Sequence, residues 1–412
     1  MHGGGFAKIR PHLRITQNMK KIFAFSAFLS LCATHLPAAD VSADFAGGNA
    51  VIAASADGKI SIAPDSSGYS RSGSYWNFRV RKASGKLLEI SVSGKNAVDA
   101  CGAFVSEDSG KNWTPLGARS VRRCGDSAKF AYRVSEDAAE VRFASVIPYL
   151  HSDFKKFAQS RGIAIRHFCK TERGRENVFV ELGNENSAVT AVLTCRHHAC
   201  ESAASFVLEG FLSAAKYAKN IRVAAFPLVD LDGVEEGGQG KFRKPRDHNQ
   251  DYYGTSRYAA TATLKRILEK LNADGKKTVV LDLHSPLFSE MSSLSTRANG
   301  IYFVFGKNGK KRNLAKGFSQ KLAERCNESG GLANNPELDV DFDPFLHDRR
   351  PITFAKWAER LENVMWSAAM EIPFAVPSGE MPSTPDQLRN FGKALLEELD
   401  AHAGIDWVSS GK

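Results

Sequence analysis

Two hydrophobic periods divide this chain. Over residues 40–148 apolar positions come in short alternating runs at 51–53, 59–62, 75–80, 87–92, 130–134 and 141–144, broken by Gly, Ser and Asp. A period of two is that of half-buried strands, and Ser109-Gly110 has the chemistry of a tight turn. The stretch 40–148 is therefore expected to be an all-β sandwich. From Ser152 the period lengthens. Helical patterns at 154–160, 202–218, 261–271, 314–325 and 384–401 alternate with apolar runs at 178–180, 189–193, 221–226, 278–283 and 301–305. Near-continuous apolar strands between amphipathic helices predict an α/β domain over 149–404, its mixed, mostly parallel sheet covered on both faces. Residues 405–412 then form a C-terminal tail.

Composition changes this picture only at the N-terminus. The formal charge is +10, but five of the 55 basic residues lie in the first 39 positions, which hold no acid; the remaining 50 face 45 acidic residues, or +5. No Lys/Arg block with interleaved aromatics occurs, so nucleic acid is not an expected partner. Met19-Lys20-Lys21 followed by the apolar run 22–33 and by Pro37-Ala38-Ala39 reads as a secretion signal. Residues 1–39 are thus expected to be an upstream extension and signal peptide, cleaved near Ala38 or Ala39, with Met19 the true start. The apolar run is too short for a permanent membrane anchor. Cys32 would be the lipidated residue of a lipoprotein, but Leu31 is large for the position before it. Export makes disulfides admissible, and Cys101–Cys124 and Cys169–Cys195 are the candidate pairs, with buried free thiols as the alternative. The oligomeric state is left open.

Candidate chemistry centres on Thr194-Cys195-Arg196-His197-His198-Ala199-Cys200-Glu201. An apolar strand ends here and a helix opens, placing His198 and Glu201 at the carboxyl edge of a sheet, where α/β proteins bind ligands. The strand 278–283 runs into His284 at the same kind of edge. Two histidines and a glutamate from two strand ends make a catalytic zinc set with a coordination position open for water. His197 is expected to point away from such a centre, Asp282 to lie behind it, and Cys195 and Cys200 to flank it without ligating.

Further along stand Asp232-Gly233-Val234, Phe242-Arg243-Lys244, Asp247-His248-Asn249 and Leu283-His284-Ser285, with Gly174-Arg175 before the first sheet strands and R-x-H-x-x-E at 196–201. This ordered series, spanning roughly residues 150–400, resembles the zinc metallocarboxypeptidases, the carboxypeptidase A-like family. Tyr75-Trp76-Asn77-Phe78 and the residues from Phe143 to Tyr149 make the first domain similar to the β-sandwich of the cytosolic-type branch. The resemblance implies one Zn2+ held by His198, Glu201 and His284, and Arg243 stabilising the oxyanion. It implies that Asp247 orients a ligand histidine and Asn249 holds the substrate carboxylate. Glu371, in a strand ending Glu-x-Pro, would be the general base, with Glu380 as competitor. The sequence departs from the family at Gln250, where an arginine usually grips a C-terminal carboxylate. A neutral amide supplies no counter-charge, so Arg246, Arg349 or Arg350 would have to substitute, or the substrate is not a standard peptide C-terminus.

The expectation is an exported zinc metallocarboxypeptidase acting on a peptide or amide bond. A zinc amidase or deacylase for N-acyl amino acids or cell-wall peptides is the first alternative. A catalytically inactive binding protein is the second.

Overall fold

The computed structural model describes residues 39–70, 73–94, 97–98, 101–286, 300–341, 352–373 and 382–409, with side chains as far as 403. The expected signal segment, Cys32, Arg349, Arg350 and Glu380 lie outside the described residues.

Ten strands form the N-terminal part: β1 (Asp40–Ser42), β2 (Val51–Ala56), β3 (Lys59–Ala63), β4 (Asn77–Arg81), β5 (Leu87–Ser93), β6 (Phe104–Ser106), β7 (Thr114–Pro115), β8 (Arg122–Cys124), β9 (Ser127–Arg133) and β10 (Glu140–Ala144). They pair into two five-stranded sheets, in the orders β1-β4-β10-β6-β7 and β2-β3-β5-β9-β8. Alternate residues of both sheets meet in one core: Phe78, Val80 and Phe143 from one, Ile60, Ile62, Leu88, Ile90 and Phe130 from the other. The expected turn holds Ser109 at φ 62 and Gly110 at φ 86. Asp108 steadies it by accepting from the amides of Lys111 and Asn112.

The second sheet system is β11 (Arg166–Lys170), β12 (Glu176–Gly183), β13 (Val189–Cys195), β14 (Ile221–Phe226), β15 (Lys277–His284), β16 (Tyr302–Phe305), β17 (Val340–Asp341) and β18 (Val364–Glu371). Their order is β11-β12-β14-β13-β15-β18-β16-β17. The centre, β14-β13-β15-β18, is parallel, whereas β11, β12 and β16 run antiparallel to their inner neighbours. Val279, Leu281 and Leu283 of β15 enter one core and Val280 enters another, so this strand is buried on both faces, as its unbroken apolar run requires. Helices Ala203–Ala215 and Pro385–Ser409 cross against one face. Their contact needs glycine: a methyl at Gly392 would stand 1.9 Å from the Val207 carbonyl oxygen.

The core on that face continues into the N-terminal part through Tyr75, Phe104, Val146 and Tyr149. The short or charged strands β1, β6, β7, β8, β11 and β17 carry too little alternation to be read from sequence; the strand holding Glu371 is β18, which begins at Val364. Neither candidate disulfide is present among the described residues. Cys101 packs in the core shared with the α/β sheet, while Cys124 lies exposed on β8. Among the described residues no helix is long and apolar enough to cross a membrane.

Candidate metal centre

The site lies at the carboxyl ends of three adjacent parallel strands. β13 ends at Cys195, which pairs in register with Leu283 of β15, and His284 pairs with Glu371 of β18. After β13 the chain turns at Arg196, φ 61. This arginine is buried and braces the turn from within. Its Nε donates to the Ala199 carbonyl at 2.9 Å, and its Nη1 to the Tyr149 carbonyl and to Ser205 Oγ at 3.0 Å each. His198 and Glu201 are thereby fixed before the helix starts at Ala203.

The Nδ1 atoms of His198 and His284 each stand 2.8 Å from a different oxygen of Glu201. All three residues are at least 95% buried, and their ligand atoms lie within 4.8 Å of one another. The far nitrogens are also fixed. His198 Nε2 is 3.2 Å from Asp247 Oδ1, and His284 Nε2 is 2.8 Å from Asp282 Oδ2. A proton held on each Nε2 by a carboxylate turns the Nδ1 lone pairs toward Glu201, the tautomer a cation demands. Two lone pairs and a buried carboxylate repel unless positive charge lies between them. The same charges act on the imidazoles: burial lowers the His198 pKa, but Glu201 and Asp247 outweigh it and raise it to about 9. His284 is likewise raised well above the usual range against burial, through Asp282 and Glu201. Two imidazoles and a carboxylate thus fit a divalent ion, and the donor set is that of zinc.

A second cluster, His197, Asp282 and His284, also gathers ligand atoms within 4.8 Å of one another. Its lone pairs are already used. Asp282 Oδ1 accepts from Thr194 Oγ1 at 2.8 Å and approaches His197 Nδ1 at 2.7 Å, while His197 Nε2 is 2.7 Å from the Tyr252 hydroxyl. Burial opposes the charge on Asp282, yet His197 and His284 hold its pKa far below the carboxylate range. Asp282 therefore carries a larger part than its place behind the site suggested: one carboxylate orients His284 and anchors His197. The signal for it was an Asp in an otherwise apolar buried strand, which must have partners.

Asp247 accepts from the amides of Asn249 (2.8 Å) and Phe242 (3.2 Å) besides facing His198. Burial raises its pKa, but His198 and these amides bring it down to about 2. Asn249 Nδ2 is 3.1 Å from His284 Nε2, and its Oδ1 accepts from the Phe354 amide. Gln250 closes the short 3-10 turn His248–Gln250 and is half-buried. Arg246 is held by Asp251 at 2.9 Å. Arg243 Nη2 lies 3.3 Å from Asp230 Oδ2. Lys241, which sequence reasoning passed over, places Nζ 3.4 Å from Glu201 Oε1. Cys195 and Cys200 hold no place in the set, since burial pushes both thiols up to about 12.

Structural comparison bears on this arrangement at the level of the whole chain. The fold is that of the metallo-carboxypeptidases. A metallo-carboxypeptidase from Burkholderia cenocepacia superposes with a TM-score of 0.70 at 14% identity, over 89% of this chain and 99% of that one. The metallo-carboxypeptidase of Pseudomonas aeruginosa, in complex with (2-guanidinoethylmercapto)succinic acid, gives 0.67 at 15% identity, over 89% and 99%. No family model and no curated protein matches the sequence.

Proposed function

We propose that the protein is an exported zinc metallohydrolase of the carboxypeptidase type that cleaves a peptide or amide bond. The observation that carries the proposal is the convergence of both Nδ1 atoms on Glu201, each imidazole braced from behind by its own carboxylate. Zinc bound there supplies Lewis-acid polarisation of a carbonyl and a water of lowered pKa. The remaining roles fall to side chains. Glu371, level with His284 in the sheet, takes the proton of the attacking water and delivers it to the leaving amine. Arg243 stabilises the charge that develops on the carbonyl oxygen, and Asn249 and Gln250 position the substrate's polar end.

A second reading, an amidase or deacylase acting on N-acyl amino acids or cell-wall peptides, is favoured by Gln250 together with the engagement of Arg246 by Asp251. The carboxylate-bearing succinic acid derivative bound by the Pseudomonas relative supports a substrate with a free acid. Metal analysis combined with hydrolysis of a blocked dipeptide, its C-terminal amide and an N-acyl amino acid tests both. Stoichiometric zinc with cleavage is expected; protein that never takes up zinc sinks either reading. Release of the acyl group alone selects the second. Export belongs to the proposal too, and N-terminal sequencing of the mature protein should begin at Ala39 or Asp40.

A further inference from the structure

The residues that would act on the carbonyl oxygen sit on a loop without regular structure, between helix Leu231–Glu235 and the turn His248–Gln250. An oxyanion-binding cation works only if it is held in place before the reaction. The α/β domain supplies part of the restraint. Asp230 faces Arg243, and Gly240, at φ +83, packs so closely on the ligand turn that a methyl would stand 2.5 Å from His198 Cα.

The N-terminal sheets supply the rest. Tyr69 and Arg243 form an isolated antiparallel bridge: the Lys244 amide donates to the Gly68 carbonyl at 2.7 Å and the Ser70 amide to the Phe242 carbonyl at 3.0 Å. Upstream, Gln239 Oε1 accepts from the amides of Ser74 and Tyr75, and Asn49 Nδ2 donates to the Gly237 carbonyl at 2.7 Å. The Tyr69 side chain follows the same direction. A methyl at Gly238 would lie 2.5 Å from Tyr69 Oη and 3.2 Å from Arg243 Nη2, so the hydroxyl and guanidinium flank one point. The Gly240 amide approaches the same hydroxyl at 3.4 Å. Tyr69 thus completes from the N-terminal part of the chain the restraint that Asp230 begins.

We propose that Tyr69 is a positioning residue for Arg243, and that the N-terminal sheets serve the reaction by holding the 237–244 loop through this bridge. The inference rests on the assignment of Arg243 as the oxyanion-stabilising cation.

The test uses full-length zinc-loaded protein with N-benzoylglycyl-phenylalanine and its C-terminal amide as substrates. Tyr69→Phe removes only the hydroxyl. It should lower kcat about tenfold, the scale of a hydrogen bond to a charged group, while KM and zinc content stay within twofold. In an Arg243→Lys background the same change should add nothing further. Independently of turnover, the Arg243 guanidinium protons, observed in 15N-arginine-labelled protein, should exchange slowly in the parent and fast in Tyr69→Phe. Unchanged exchange in that variant overturns the inference whether or not either substrate is cut. A silent Tyr69→Phe beside an inactive Arg243→Ala overturns the role of Tyr69 and leaves that of Arg243 standing. A fully active Arg243→Ala removes both.

Discussion

Substituting Gly240 by alanine puts the close packing around the ligand turn to a direct test. The change meets two penalties that can be separated. At φ +83 an L-residue carries a backbone cost of about 1–2 kcal/mol. The new methyl would also stand 2.2 Å from the Ala199 amide nitrogen and 2.5 Å from His198 Cα. Both are backbone atoms of a turn braced by Arg196, so no flexible side-chain end can give way. Restoring ordinary contact requires a shift of about 1 Å, a displacement that costs on the order of a hundredfold in rate when it reaches reacting groups. That corresponds to about 2.7 kcal/mol. Gly275→Ala is the control: φ is +69, but nothing lies within 4 Å of its added methyl. It should lower the melting temperature through backbone strain and leave the site intact. Zinc affinity by chelator competition, kcat and thermal unfolding are measured on both. Metal affinity and turnover within twofold of the parent in Gly240→Ala would refute the reasoning, as would the same loss in Gly275→Ala.

Glu371→Gln should keep zinc and lose at least about a hundredfold in turnover, the usual contribution of a general base; loss of metal instead would make Glu371 a ligand. Gln250→Arg should lower KM for substrates with a free C-terminal carboxylate and leave their amides unaffected, and equal effects on both would place residue 250 away from that group. Asp339, which is not one of the metal-set residues, should make the stability pH-dependent. Burial raises its pKa to about 6, against the hydrogen bonds from Ser319 and the Phe303 amide. The folded state therefore favours the neutral acid: its contribution is full below about pH 4 and is lost as pH rises through 6. The shift from 3.8 caps the loss at about 3 kcal/mol, less with solvent screening. Urea unfolding at pH 4.5 and 7.5 should show a steeper decline for the parent than for Asp339→Asn, and parallel curves would contradict the shift.

The strand ends were legible because an apolar run that stops at a polar residue marks a sheet edge, and His198, Glu201 and His284 each follow such a run. Glu371 was reachable in the same way. What stayed hidden is the polar layer behind them. His197 and Tyr252 occupy 0% and 1% exposed positions, and no periodicity tells a buried imidazole bonded on both nitrogens from a surface one. In the sequence Arg196 is only part of the R-x-H-x-x-E pattern, and nothing there shows that it is a buried brace. Tyr69 and Lys241 lie far apart in sequence from the groups they meet, so only the folded topology relates them.

That hidden layer also bears on Gln250. Between residues 241 and 246 three cations face protein carboxylates: Lys241 faces Glu201, Arg243 faces Asp230 and Arg246 faces Asp251. For any of these three to meet a substrate carboxylate beside Gln250 it would have to leave its protein partner, and a buried carboxylate stripped of its partner costs several kcal/mol. Asp251 is fully buried, though the amides of Arg257 and Tyr258 still donate to its other oxygen when Arg246 moves, which offsets part of that cost. A neutral amide or acyl group imposes no such exchange, since Gln250 and Asn249 can meet it with hydrogen bonds alone. Recruiting Lys241, Arg243 or Arg246 to a charged group near Gln250 therefore carries a cost that an uncharged group does not, independently of the family pattern from which Gln250 departs.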